Sequence, residues 1–273
     1  MPDRYAVIGN PIAHSKSPAI HAAFAEQTGQ DIHYGRLLGA LDDFAGDARR
    51  FFGEGGRGLN VTVPFKEQAW ELADARSPRA ELAGAVNTLI RIGDSGIRGD
   101  NTDGVGLIRD LTANHGFDFR DTSVLLLGAG GASRGVLLPL LESGLGRLLI
   151  ANRTAAKAQQ LAELGATLGP VEGRGLDQLA GERFDLIINA TSAGLSDAVP
   201  PIPDDCLATG GWTYDMLYGD APTAFCRWGA EHGAKRALDG LGMLVEQAAE
   251  SFFLWRGVRP ETTNVIKGLR QTR

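Results

Sequence analysis

Short apolar runs alternate with amphipathic segments along nearly the whole chain, the pattern of βαβ units built on a mainly parallel sheet. In the first part this predicts strands over 5–9, 32–38 and 59–63, with helices over 17–28, 41–52 and 66–73. Residues 86–92 and 97–99 read as an extended pair. A second series begins at Ser123, with strands over 124–127, 148–151, 185–190, 212–215 and 236–238. Its helices run from the glycine turn after residue 127 to about residue 141, and over 221–232. The last clear element is a helix over 241–255, because Leu241, Leu244, Val245, Ala248, Phe252 and Trp255 recur at steps of three and four. No Pro/Ser-rich or charged linker divides the chain, so the loop 100–106 and the turn Asp239-Gly240 are the natural breaks. If the terminal helix packs on the first series, the expected fold is two α/β domains, 1–103 plus 239–273 and an inserted 104–238.

Composition narrows the function class. The 273 residues are 43% hydrophobic and 22% charged, the balance of a globular enzyme. A net charge of −6 argues against a sequence-independent nucleic-acid binder. No apolar run reaches the ~18 residues of a membrane span, and the N-terminal residues show no secretory pattern. Two cysteines, Cys206 and Cys226, suit buried thiols rather than a disulfide framework, and the five histidines lack metal-ligand spacing. A cytoplasmic protein with no membrane partner, no nucleic-acid partner and no metal is expected. Glycine is the outlier, at 37 residues gathered in turns.

One glycine turn carries chemistry. The strand over 124–127 runs into Gly128-Ala129-Gly130-Gly131-Ala132-Ser133 and then a helix, an arrangement that holds a pyrophosphate on free helix-start N–H groups. Ser133 stands where the third fingerprint glycine belongs, so the loop alone also suits a tight strand–helix turn. The next strand ends in Asn152-Arg153-Thr154, with Lys157 one turn later, where an NAD site would carry an acid. A guanidinium binds a 2′-phosphate that a carboxylate would repel, which favours NADP; as solvated helix-start charges the two cations would mean nothing. Gly131-Ala132-Ser133-Arg134-Gly135 also matches the nucleophile elbow of hydrolases, but the serine falls inside the helix rather than on the turn.

The first domain concentrates polar groups at loop positions: Ser15 and Ser17, the latter also suited to capping a helix; Asn60, Thr62 and Lys66; Asn87 within an apolar run; and Asp103 at the presumed hinge. Together, at neighbouring strand ends, they describe a pocket for a small polyhydroxylated carboxylate. The whole chain resembles NADP-dependent shikimate dehydrogenases. The matching stretches are 10–18 (NPIAHSKSP), 60–66 (NVTVPFK), 83–88 (AGAVNT), 100–104 (DNTDG), 128–132, 152–154, 189–191 and 239–244 up to Gln247.

The resemblance implies a substrate domain completed by the C-terminal helix, a Rossmann-type NADP domain, and reversible reduction of 3-dehydroshikimate to shikimate in aromatic amino-acid biosynthesis. It implies Lys66 and Asp103 as catalytic groups. The substrate shell it implies adds Ser15, Ser17, Thr62, Asn87, Tyr218 and Gln247. Its cofactor shell is Gly128, Ala129, Gly130, Gly131, Ala132, Asn152, Arg153, Thr154 and Lys157, with Met216 and Gly240. An acid that some members carry before the AGAVN stretch has no equivalent near Pro78. Chemically, an ammonium beside a ketone stabilises the developing alkoxide and delivers its proton. Two other readings use the same residues: a quinate/shikimate dehydrogenase using NAD, against which Arg153 argues, and a binding module without turnover, against which Lys66 and Asp103 argue.

Overall fold

The alternating pattern resolves into two six-stranded sheets in the computed structural model, which describes residues 2–271. They belong to two compact units, Met1–Gly106 with Val245–Arg273, and Leu107–Leu244. The first sheet contains β1 (Asp3–Gly9), β2 (Ile32–Leu38), β3 (Gly56–Val61), β4 (Ala75–Arg76), β5 (Thr88–Ile92) and β6 (Gly96–Asp100), in the order β2-β1-β3-β5-β6-β4. The helices α1 (Ser17–Thr28), α2 (Phe44–Gly53), α3 (Lys66–Leu72) and α4 (Pro78–Ala83) connect these strands. α2 starts later than the apolar pattern predicts because Asp43 caps it, its Oδ1 accepting from Gly46 N at 3.0 Å.

β1 pairs in parallel with β2 and β3, but β5 is antiparallel to both β3 and β6. The sheet is therefore mainly parallel, as the pattern predicts, with β5 reversed because the short turn between β5 and β6, with Gly93 at φ +56°, makes a hairpin of the extended pair. This reversal matters for the site. Asn60 pairs with Thr88, and Thr88 with Asp100, so the end of β3, the start of β5 and the end of β6 share one edge. Ile8, Leu59, Phe65, Val86 and Leu89, all fully buried, hold that edge in place. α9 (Leu241–Arg256) and α10 (Thr263–Gln271) follow later in the chain.

The second sheet is parallel throughout: β7 (Ser123–Leu127), β8 (Arg147–Asn152), β9 (Val171–Gly175), β10 (Phe184–Asn189), β11 (Leu207–Asp215) and β12 (Arg236–Leu238). Its order, β12-β11-β10-β7-β8-β9, reverses direction between β7 and β10, as in a dinucleotide-binding sheet. The helices α5 (Asp103–Arg109), α6 (Gly131–Glu142), α7 (Ala155–Gly165) and α8 (Ala224–Glu231) complete the set. The apolar pattern does not announce β9, an edge strand of sequence VEGRG with a single strongly apolar residue. Among the described residues no helix is long and apolar enough to cross a membrane.

One buried group gives the first unit a pH dependence. His21 on α1 is fully buried, stacks on Tyr34 at 4.1 Å between ring centroids, and places Nε2 3.1 Å from Asn60 Oδ1. Burial disfavours its charged form and drives its pKa down to about 3. The unfolded chain binds a proton below about pH 6.5 that the folded chain refuses, so stability is complete above that pH and is lost as pH falls. His21 alone should cost up to about 1.4 kcal/mol per pH unit below 6.5. Urea midpoints measured between about pH 6 and pH 4 should fall less steeply in His21→Phe than in wild type; identical slopes would contradict this.

Candidate functional site

In the first unit, the shared strand edge gathers the polar residues. Lys66 opens α3, and its carbonyl accepts from Val86 N at 2.9 Å, which ties the helix start to the segment leading into β5. Its Nζ donates to Asp103 Oδ2 at 2.6 Å. The other oxygen, Asp103 Oδ1, accepts from Asn87 Nδ2 at 2.7 Å. Asn87 is itself oriented, because its Oδ1 accepts from Thr102 N and from Thr88 Oγ1, both at 2.9 Å. A buried amide in an apolar run thus has its bonding satisfied by Thr88 beside it and by the residues just past β6. Asp103 N donates to Asn101 Oδ1 at 3.2 Å, and Asn101 Nδ2 to Ala85 O at 3.1 Å, so the backbone carrying the carboxylate is also fixed.

Gln247 of α9 reaches the same place, with Oε1 3.3 Å from Thr102 Oγ1 and 3.4 Å from Asn87 Nδ2. One turn on, Ser251 Oγ accepts from Asn60 Nδ2 at 3.0 Å and lies 2.8 Å from Thr88 Oγ1. Ser15 and Ser17 follow β1, where Ser17 N donates to Ser15 Oγ at 3.3 Å. Ser17 does not cap a helix: α1 starts on it, and the capping position is Lys16, whose side chain makes no capping bond. Thr62 stands just past β3 over Gly9, where a β-carbon would lie 2.4 Å from Thr62 Cγ2. Only glycine allows that approach. Tyr218 belongs to the other unit, exposed on the loop after β11.

In the second unit, the glycine turn joins β7 to α6. Gly128 has φ +103°, and a β-carbon there would come within 3.3 Å of the Ala190 backbone. Gly130 and Gly131 face open space, and no side chain caps α6, so its first N–H groups remain available to an anion. Ser133 is buried inside α6 and donates to Gly128 O at 2.9 Å, which removes the nucleophile-elbow geometry. A cavity of about 510 Å³ opens here, lined by Gly128 through Ala132 and by Asn152, Arg153 and Thr191. Arg153, Thr154 and Lys157 are exposed where β8 passes into α7, and neither cation makes an ion pair among the described residues. Gly240 presses on the loop after β11: a β-carbon would lie 2.3 Å from Met216 O, and Gly240 N donates to Leu217 O at 3.0 Å. This cradle, with an open helix start and free cations beyond it, fits a phosphorylated dinucleotide. Among the described residues no group of three or more His, Cys, Asp or Glu could hold a metal ion.

Sequence reasoning passes over Thr102, Ser251, Thr191 and Asp215 as site residues. Each is a polar group near a strand end or on an otherwise apolar stripe, the signal that singles out Asn87; Thr191 and Asp215 bond mainly to near neighbours, whereas Ser251 has its partners far along the chain. Asn60 and Ser251 are 191 positions apart.

Three family models match the chain: the shikimate dehydrogenase substrate binding domain over 7–89, shikimate/quinate 5-dehydrogenase over 111–196, and the shikimate 5′-dehydrogenase C-terminal domain over 240–270. A shikimate dehydrogenase (NADP(+)) of Alkalilimnicola ehrlichii is 60% identical over 271 residues, covering 99% of each chain. Among solved structures, an Ael1 enzyme from Pseudomonas putida matches with TM-score 0.91 at 49% identity, covering 98% of each chain. The shikimate 5-dehydrogenase of Thermus thermophilus, in complex with NADP(H) and shikimate, matches with TM-score 0.87 at 34% identity, covering 99% of this chain and all of that one. By sequence along its whole length and by the fold of both units, this chain belongs to the shikimate dehydrogenase family.

Proposed function

We propose that this chain reduces 3-dehydroshikimate reversibly to shikimate with NADPH, and that Lys66 and Asp103 are its catalytic pair. The observation that carries the assignment is the 2.6 Å contact between Lys66 Nζ and Asp103 Oδ2 at an edge crowded with hydrogen-bonding side chains. Residues 1–103 with 239–273 form the substrate domain in this reading, and 104–238 the NADP domain. When bound, NADPH supplies the hydride to the carbonyl carbon. Lys66 then stabilises the charge developing on the carbonyl oxygen and passes a proton to it, leaving a neutral amine that regains a proton from solvent. Asp103 holds the ammonium in place and accepts from a ring hydroxyl.

Ser15 and Ser17 bind the substrate carboxylate as neutral donors, with Tyr218 supporting that end. Thr62, Asn87 and Gln247 take the ring hydroxyls. On the cofactor side, Gly128 through Ala132 and the start of α6 cradle the pyrophosphate. Asn152, Arg153, Thr154 and Lys157 read the 2′-phosphate, with Met216 and Gly240 at the other end of the dinucleotide. The cytoplasm is the compartment that suits the chain, since Cys206 and Cys226 are buried free thiols and burial pushes Cys206 up to about 11.

Lys66→Ala should lower kcat by on the order of 10²–10⁴, the range for a positioned acid–base group, while shikimate affinity changes far less. Single-turnover hydride transfer, alongside titration of shikimate, separates the two quantities. Wild-type transfer with lost binding would make Lys66 an anchor only. For the cofactor, Arg153→Ala should weaken NADP and leave NAD nearly unchanged, because only NADP presents a 2′-phosphate. Equal losses with both would show that Arg153 does not read that group. Assays of shikimate and quinate, each with NADP and NAD, should give the highest kcat/KM for shikimate with NADP; any other winner would overturn the substrate or cofactor assignment.

A further inference from the structure

β10 and β11 end side by side on Asn189 and Asp215, and both end residues are fully buried. The two oxygens of Asp215 serve the two ends of one loop. Oδ1 accepts from Leu217 N and from Asn189 Nδ2, each at 3.1 Å. Oδ2 accepts from Thr223 Oγ1 at 2.6 Å, and Thr223 in turn caps α8 by accepting from Cys226 N at 3.2 Å. A single carboxylate therefore fixes the start and the finish of the segment 216–223, which carries Met216 and Tyr218. The Met216 end is closed further, since Met216 N donates to Asn189 O at 2.9 Å and Gly240 leaves no room beside the Met216 carbonyl. Asn189 extends the network outward, its Oδ1 accepting from Thr191 N at 3.1 Å and from Thr191 Oγ1 at 2.7 Å. Burial raises the pKa of Asp215, and these donors oppose that shift.

A dinucleotide lies across the point where strand order reverses, so its two halves fall on opposite sides of the β7–β10 boundary. Arg153 follows β8 and belongs to the adenosine side; Met216 follows β11 and belongs to the other. We infer that Asp215 is a positioning residue for the nicotinamide half of the cofactor, clamping the 216–223 loop so that the Met216 backbone stands fixed against Gly240. The inference rests on the NADP-dependent reading above.

Asp215→Asn keeps the side-chain shape but replaces one acceptor oxygen by a donor that faces other donors. With shikimate and NADP saturating, single-turnover hydride transfer should fall by about tenfold or more, the loss expected for a hydrogen bond to a charged group. The Kd of 2′,5′-ADP, which carries only the adenosine half, and the Kd of shikimate for the free enzyme should each stay within about twofold of wild type. Thr223→Val removes the Oδ2 donor together with the cap of α8 and should slow transfer several-fold while the Kd of 2′,5′-ADP holds, with Thr223→Ser restoring transfer; this pair decides the matter if Asp215→Asn does not fold. Wild-type transfer rates in the folded variants would overturn the inference. So would a loss of 2′,5′-ADP binding equal to the loss of transfer, which would make Asp215 a general support of the domain. Wild-type protein that fails to oxidise shikimate with NADP would instead refute the underlying functional reading.

Discussion

A carboxylate held by two donors from different parts of one sheet edge is the constraint on which the first unit turns. Asp103 accepts from Lys66 Nζ and Asn87 Nδ2, and neither donor would arrive without the hairpin that brings β5 and β6 back beside β3. Buried polar groups left unpaired cost more than most packing gains supply, so each member of this edge recruits another. Asn87 is oriented by Thr102 and Thr88, Thr88 by Ser251, and Ser251 by Asn60. His21 and Tyr34 complete the far side of Asn60, whose Oδ1 is shared between them. The outcome is a rigid floor in which the charged pair is the part left partly open to solvent, the position from which it can meet a ligand.

The second unit applies a similar economy to a different task. Three of its parallel strands end on polar residues: β8 on Asn152, β10 on Asn189 and β11 on Asp215. Glycines then remove side chains where backbone must approach backbone, at Gly128 against Ala190 and at Gly240 against Met216. Among the described residues the start of α6 has no side-chain cap and the cations after β8 make no ion pair, which leaves both open to an anion in the proposed reading. A hydrophobic sheet supplies stiffness, and the chemistry resides at its carboxyl ends.

How far the sequence alone reaches follows from the range of the interactions. Asn87 is legible because it interrupts an apolar run, Lys66 and Asp103 stand out as polar groups at a strand end and a loop whose roles the resemblance supplies, and the Rossmann sheet is legible because β7, β8 and β10 carry continuous apolar runs. The reversal of β5 rests on the tight turn at Gly93, between two segments that the apolar pattern reads as an extended pair. The late start of α2 depends on a single Asp43 cap, and β9 is nearly without apolar residues. Ser17 reads locally as a helix cap, yet α1 begins on it without a side-chain cap. The contacts of Asn60 with Ser251 and of Arg79 with Glu250 join residues 191 and 171 positions apart, which no local pattern announces.

The central claim is that Lys66 and Asp103 act as one unit rather than as two independent contacts. Single-turnover hydride transfer in Lys66→Ala, Asp103→Ala and the double variant tests it most directly. Because groups that act together are strongly non-additive, the double variant should lose about as much as the more damaged single variant. Losses that simply add, as they would for two separate supports, would contradict the account.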